Sequence, residues 1–91
     1  MQFQEFARDR IDFLNSDLNL GNTFVELART ELDMHNREHY EVLLQKARIA
    51  LETVRRLLAM PPPLATDEVA QVAKRCDELE FIIRSAGTVG T

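Results

Sequence analysis

The chain has 91 residues, of which 45% are hydrophobic and 29% are charged. This composition excludes a disordered tail and is typical of one folded domain, which we assign to residues 1–87, followed by a frayed tail at residues 88–91. Fifteen acidic residues against eleven Lys and Arg leave a net charge of −4. That balance opposes nucleic-acid binding, which needs a basic surface to contact phosphates.

The N-terminal residues do not have the pattern of a secretory signal. They lack both the basic segment and the apolar segment that such signals contain. The sequence also lacks the roughly 18–20 consecutive apolar residues that a membrane-spanning helix needs. We therefore expect a cytoplasmic protein that does not bind a membrane.

Apolar residues recur at helical spacing along the whole chain, which predicts an all-α fold. The first amphipathic stretch weakens at residues 15–17 and reaches Gly21, a residue that favours turns. Thr23 and Glu26 then have the spacing of a capping box at a helix start. The prolines at 61–63 end a later helix. We therefore predict a small antiparallel bundle of four helices over residues 2–17, 23–35, 38–59 and 67–86.

The link between the second and third predicted helices has two interpretations. A tight turn centred on Asn36 is favoured, because the apolar stripe that starts at Tyr40 does not continue the stripe that contains Leu32. The alternative is one continuous helix over residues 24–59, which would be about 54 Å long.

The predicted core combines the apolar faces of these helices. It includes Phe13 on the first helix and Leu27 on the second. On the last helix the apolar stripe contains Cys76, the one cysteine of the sequence. We therefore predict a buried, unreactive thiol and no internal disulfide.

One short motif suggests chemistry. Residues 35–39 read His-Asn-Arg-Glu-His and resemble the H-x-x-E-H zinc signature of the inverzincin metalloproteases. The resemblance implies His35 and His39 as metal ligands and Glu38 as a base, which requires one continuous helix. A turn at Asn36 removes that geometry, so we expect His35 to pack at a helix end and His39 to be half-exposed. We predict no catalytic residue and no cofactor, with metal binding by the three side chains as the alternative.

Several apolar residues fall outside the predicted core stripes. Val42 and Ile49 lie seven residues apart on the far side of the third helix, with Met60 in the same sector. Phe81 projects away from the stripe of the last helix, and Ile82 lies at its edge. One interpretation is that the third helix is contacted on two sides within one chain. We favour the other, that these five residues form an interface, because so small a domain gains stability from association.

Residues 23–61 resemble a single helical hairpin of the tetratricopeptide-repeat kind. The first helix carries Leu27, a short polar turn leads into Tyr40, and the second helix has the small residues Ala47 and Ala50 where a neighbouring helix approaches. The resemblance implies protein–protein interaction through packed helices. One hairpin lacks the concave groove of a repeat array, so it implies no peptide-binding residue.

The sequence therefore predicts a non-catalytic interaction or assembly module that self-associates. Its expected partner is a second copy, forming a homodimer, or another protein. We expect no nucleic acid and no small-molecule substrate. The alternative function is a metal- or ligand-binding helical protein that uses His35 and His39.

Overall fold

The computed structural model describes residues 2–61 and 64–88, and the side chains of residues 8–61 and 64–86. Within these residues the chain forms three α-helices and no strand: α1 (Gln2–Asp33), α2 (Arg37–Leu58) and α3 (Thr66–Thr88). The all-α class is confirmed. The four-helix bundle is wrong, because the helices predicted at 2–17 and 23–35 are one helix of 32 residues. Two of the three predicted corner prolines and most of the predicted tail, residues 89–91, lie outside the described residues.

The pattern of buried residues explains why α1 continues through the segment predicted to be a turn. Steps of three and four residues alternate along its inner face, and this spacing keeps one face of a helix against its neighbours. Burial of that face outweighs the low helix propensity of Asn, Ser, Asp and Gly, each of which costs up to about 1 kcal/mol relative to Ala. The residues at these steps, all buried or half-buried, are Ile11, Leu14, Leu18, Gly21, Val25, Ala28 and Leu32.

Gly21 and Thr23 therefore have different roles from those predicted. The Thr23 hydroxyl does not cap a helix but donates to the carbonyl of Asn19, 3.0 Å away and one turn earlier in α1. Gly21 does not end a helix but lies where all three helices approach each other. A Cβ built on it would lie 2.8 Å from Cδ2 of Leu79 and 3.7 Å from Cβ of Ala50. The absence of a side chain at this position allows the close packing.

The chain reverses direction between α1 and α2 in a Schellman-type turn. The amide of Asn36 donates to the carbonyl of Glu31 at 2.8 Å, which closes the end of α1. Asn36 then caps α2, since its side-chain oxygen accepts from the amide of His39 at 3.3 Å. The turn is confirmed, and the alternative continuous helix over residues 24–59 is wrong. The left-handed residue is His35, with φ at 62°, rather than Asn36.

The three helices form an elongated up-down-up bundle of 51 × 18 × 15 Å. The end of α3 lies beside the start of α2, where the buried Tyr40 hydroxyl donates to the carbonyl of Ala86. Along the other flank, α3 runs parallel to α1, and Nη1 of Arg75 donates to Oδ1 of Asn15 at 2.7 Å. One apolar core lies between the helices; its largest fully buried side chains are Leu14, Leu18, Val25, Val54, Val72, Cys76 and Leu79.

Candidate interaction surface

The predicted histidine pair does not have the geometry of a metal site. His35 lies in the left-handed turn and His39 in the first turn of α2, so the two imidazoles do not share one helical face. Nδ1 of His39 instead lies 3.2 Å from Oε1 of Glu31. Both histidines are exposed, so the expected packing of His35 is wrong. Across the part of the chain that the structure describes, no three His, Cys, Asp or Glu side chains cluster as metal ligands would.

A second apolar stripe, which faces outward, runs along α1 and into the first residue of the turn that follows it. Phe13, Leu20, Leu27 and Met34 follow each other at intervals of seven residues, and their side chains are 53%, 46%, 48% and 68% exposed. Seven residues make nearly two full turns, so these side chains lie in one row along the helix. The prediction that Phe13 and Leu27 belong to the core is wrong, because about half of each side chain is exposed. Leu20, which falls between two predicted helices, lies within α1.

A contact between α1 and α2 shows which side of the bundle this row faces. Nζ of Lys46 on α2 lies 5.8 Å from the centroid of the Phe24 ring on α1. Leu20 and Leu27 come four residues before and three residues after Phe24, and residues at these spacings are neighbours on a helix surface. The row therefore runs beside the seam between α1 and α2.

The exposed apolar residues of α2 border the same seam. Val42 and Ile49 come four residues before and three residues after Lys46, and they are 47% and 52% exposed. Because the hairpin is antiparallel, Val42 lies within one residue of the level of Leu27, and Ile49 within one residue of the level of Leu20. We call this two-helix surface the outer face; it consists of Phe13, Leu20, Leu27, Met34, Val42 and Ile49.

The other predicted interface residues lie elsewhere. Met60 follows the end of α2, and its carbonyl accepts from the Arg10 guanidinium at 2.6 Å. Phe81 is 72% exposed on the side of α3 opposite its core stripe, and Ile82 is half-buried against the core. Val42 and Ile49 on α2 are thus among the predicted interface residues, whereas none of the four residues in the row along α1 was predicted. The seven-residue spacing was the signal that could have found them.

On α2, the two ends of the outer face carry opposite charge. Glu38 lies at the end next to the turn, where Glu31 also accepts from the side-chain amide of Asn36 at 2.9 Å. Arg56 lies on α2 toward the other end. Glu38 and Arg56 are both exposed, and their spacing from Val42 and Ile49 puts them on the same side of α2. The outer face is therefore apolar along its middle, and on α2 it carries Glu38 next to the turn and Arg56 toward the other end. On α1, the exposed Asp9 lies four residues before Phe13 at that other end.

Within residues 2–61 and 64–88, no helix is both long enough and apolar enough to cross a bilayer.

No family model matches the chain, and no curated protein or solved structure matches it either. The likeness of residues 23–61 to a tetratricopeptide-type hairpin stays a prediction from the sequence.

Proposed function

We propose that the chain is a non-catalytic protein–protein interaction module that associates with itself through the outer face. The observation that carries this proposal is the row of exposed large apolar residues that runs along α1 to Met34 at a constant interval of seven residues. Single exposed apolar residues are normal on a protein surface, whereas a contiguous apolar strip is typical of an interaction site. The proposal keeps the cytoplasmic location expected from the sequence.

The energetics of burial support association. Full burial of one Leu, Phe or Met side chain contributes about 1.5–3 kcal/mol. The six side chains of the outer face are each 46–68% exposed, so about half of that contribution remains to be gained at each position. Summed over the twelve side chains of two copies, this gain is of the same order as the loss of translational and rotational freedom on association, about 4–15 kcal/mol.

The regular spacing supports a helical partner rather than an irregular one. A seven-residue repeat presents the same side of a helix to a neighbouring helix over many turns. The inner face of α1 already packs against α2 and α3 with such a repeat, so the outer face can accept further helices in the same manner. The tetratricopeptide-like resemblance supports the same kind of contact, because such hairpins associate by helix packing.

Light scattering on purified variants tests the proposal. We expect the wild-type chain to have twice its monomer mass of 10.5 kDa, and Leu20→Glu and Leu27→Glu to be monomeric with unchanged helical circular dichroism. Phe81→Glu is the matched control, since it places the same charge at an exposed apolar residue outside the outer face. A monomeric wild type, or outer-face variants that associate as well as Phe81→Glu does, would contradict the proposal.

A further inference from the structure

The row on α1 is complementary to itself when two copies run in opposite directions. With a two-fold axis between Leu20 and Leu27, Leu20 lies against Leu27 of the partner subunit. In the same register, Phe13 lies against Met34 of the partner subunit. Every large side chain of the row then has an apolar neighbour of similar size.

The size of the outer face suits a second copy of the hairpin. From Phe13 to Met34 it is about 31 Å long at 1.5 Å per residue, and two packed helices with their side chains are about 18 Å wide. That is roughly 550 Å² in projection, and the accessible area of a ridged surface is larger than its projection. A standard stable interface buries roughly 800 Å² per partner. One outer face therefore offers an area of the order that a stable interface buries on each partner.

Charge at the turn end distinguishes the antiparallel arrangement from the alternative, in which the two-fold axis runs along the bundle. In that alternative the two turn ends coincide, and Glu38 comes close to Glu31 of the partner subunit, an unfavourable pair of like charges. In the antiparallel arrangement the turn end of one copy meets the open end of the other. Since Phe24 and Lys46 set the level of α2 against α1, Glu38 then lies within one residue of the level of Arg56 of the partner subunit.

We infer that two copies pair through their outer faces with the α1 helices antiparallel, about a two-fold axis between Leu20 and Leu27, and with Glu38 beside Arg56 of the partner subunit. This inference rests on the proposed self-association and adds its geometry. Each dimer contains the Glu38–Arg56 pair twice, so a change to one residue type affects two contacts.

Charge reversal tests the pairing. We expect Glu38→Arg and Arg56→Glu each to raise the dimer dissociation constant roughly tenfold at low salt, and the double variant to return it to within about twofold of wild type. Within one chain the two residues are 18 positions apart on α2, about 27 Å, so recovery can arise only between copies. A double variant as weak as the two single effects combined would overturn the inference.

Disulfide trapping tests the orientation with a matched pair of sites. Thr23 lies next to the proposed axis, and Thr30 lies one seven-residue step further along the same side of α1. Both are exposed, and both hydroxyls donate to the carbonyl four residues earlier, Thr23 at 3.0 Å and Thr30 at 3.2 Å. In the antiparallel dimer the Thr30 positions are about 20 Å apart along the axis, beyond the reach of a disulfide.

We therefore expect Thr23→Cys to form a disulfide-linked dimer at least tenfold faster than Thr30→Cys does. Equal rates at the two sites would indicate that the α1 helices are parallel. If the chain is dimeric by light scattering but neither site forms a cross-link, α1 faces α2 of the partner. Either result would overturn the proposed geometry and leave the proposed function standing. A wild-type chain that is monomeric overturns both together.

Discussion

The ammonium nitrogen of Lys46 lies 5.8 Å from the centroid of the Phe24 ring, and this contact joins α2 to α1 at the middle of their hairpin. A cation at this distance from a ring is attracted to its face. Leu20 and Leu27 flank Phe24 along α1, and Val42 and Ile49 flank Lys46 in the same way along α2. The contact therefore marks the centre of the outer face, with apolar side chains on both sides of it.

The packing at Gly21 predicts that the effect of an added methyl group depends on Leu79. Alanine favours a helix by about 1 kcal/mol over glycine, but its Cβ would lie 2.8 Å from Cδ2 of Leu79. We expect Gly21→Ala to leave the free energy of unfolding nearly unchanged in the wild type. In a Leu79→Val background, which lacks the obstructing atom, the same change should raise it by about 1 kcal/mol. Urea unfolding followed by circular dichroism measures the change in free energy of unfolding that Gly21→Ala causes in each background. An equal change in the two backgrounds would contradict the described packing of Gly21 against Leu79.

Gly21 also shows why part of the fold could not be predicted. The all-α class and the turn between α1 and α2 follow from helical spacing and from a change in the phase of the apolar stripe. The break predicted near residues 15–22 relied on local preferences of Asn, Gly and Thr, which are worth at most about 1 kcal/mol each. The contacts of Gly21 with α2 and α3 are tertiary, and they override those preferences. Because the prediction divided α1 into two helices, the seven-residue interval of its outer row was not apparent.

The candidate surface was predictable to a similar extent. Val42 and Ile49 could be identified because the core stripe of α2 is narrow and leaves them on the far side. Phe81 was identified by the same reasoning, yet it lies on a separate side of the bundle. Which exposed residues share a face depends on how the helices pack, and the spacing along one helix does not contain that information.

The left-handed backbone at His35 predicts a stabilising substitution. A residue with a Cβ is disfavoured at φ 62°, whereas glycine is not. We expect His35→Gly to raise the free energy of unfolding by about 0.5–1 kcal/mol, and Ala70→Gly, at an exposed position inside α3, to lower it by about 1 kcal/mol. Thermal and urea unfolding of both variants gives the comparison. If His35→Gly were as destabilising as Ala70→Gly, the described turn would be wrong.

An ion pair between α2 and α3 predicts how stability changes in acid. The Arg55 guanidinium donates to Oε1 of Glu80 at 2.9 Å, and this hydrogen bond and charge hold the pKa of Glu80 below its ordinary value of 4.5. A lowered folded-state pKa stabilises the fold above the ordinary pKa, and that contribution is lost as the pH falls through the lowered one.

The matched variant for this ion pair is Glu80→Gln, which keeps the shape of the side chain and removes its titration. The free energy of unfolding of the wild type should exceed that of Glu80→Gln by a constant amount above pH 4.5. This difference should shrink as the solution becomes more acidic. It should also decrease with added salt, because the pair is exposed. Urea unfolding at a series of pH values measures this, and an advantage that grows on acidification would contradict the described contact.

The single thiol predicts low reactivity in the folded chain. Cys76 is 1% exposed, and burial raises the pKa of its thiol, so both access and thiolate content are low. We expect a thiol reagent to modify the native chain at least about a hundredfold more slowly than the chain in denaturing urea. Similar rates in the two conditions would mean that the core around Cys76 opens readily. The slow reaction also makes the natural cysteine a silent background for trapping at Thr23.

Self-association of the wild-type chain is the measurement on which the whole interpretation depends. Sedimentation equilibrium from low micromolar to near-millimolar protein should show a molar mass that rises with concentration toward twice 10.5 kDa. The Leu20→Glu variant should stay at the monomer mass over the same range. A wild-type mass of 10.5 kDa at every concentration would contradict the claim that the outer face binds a second copy.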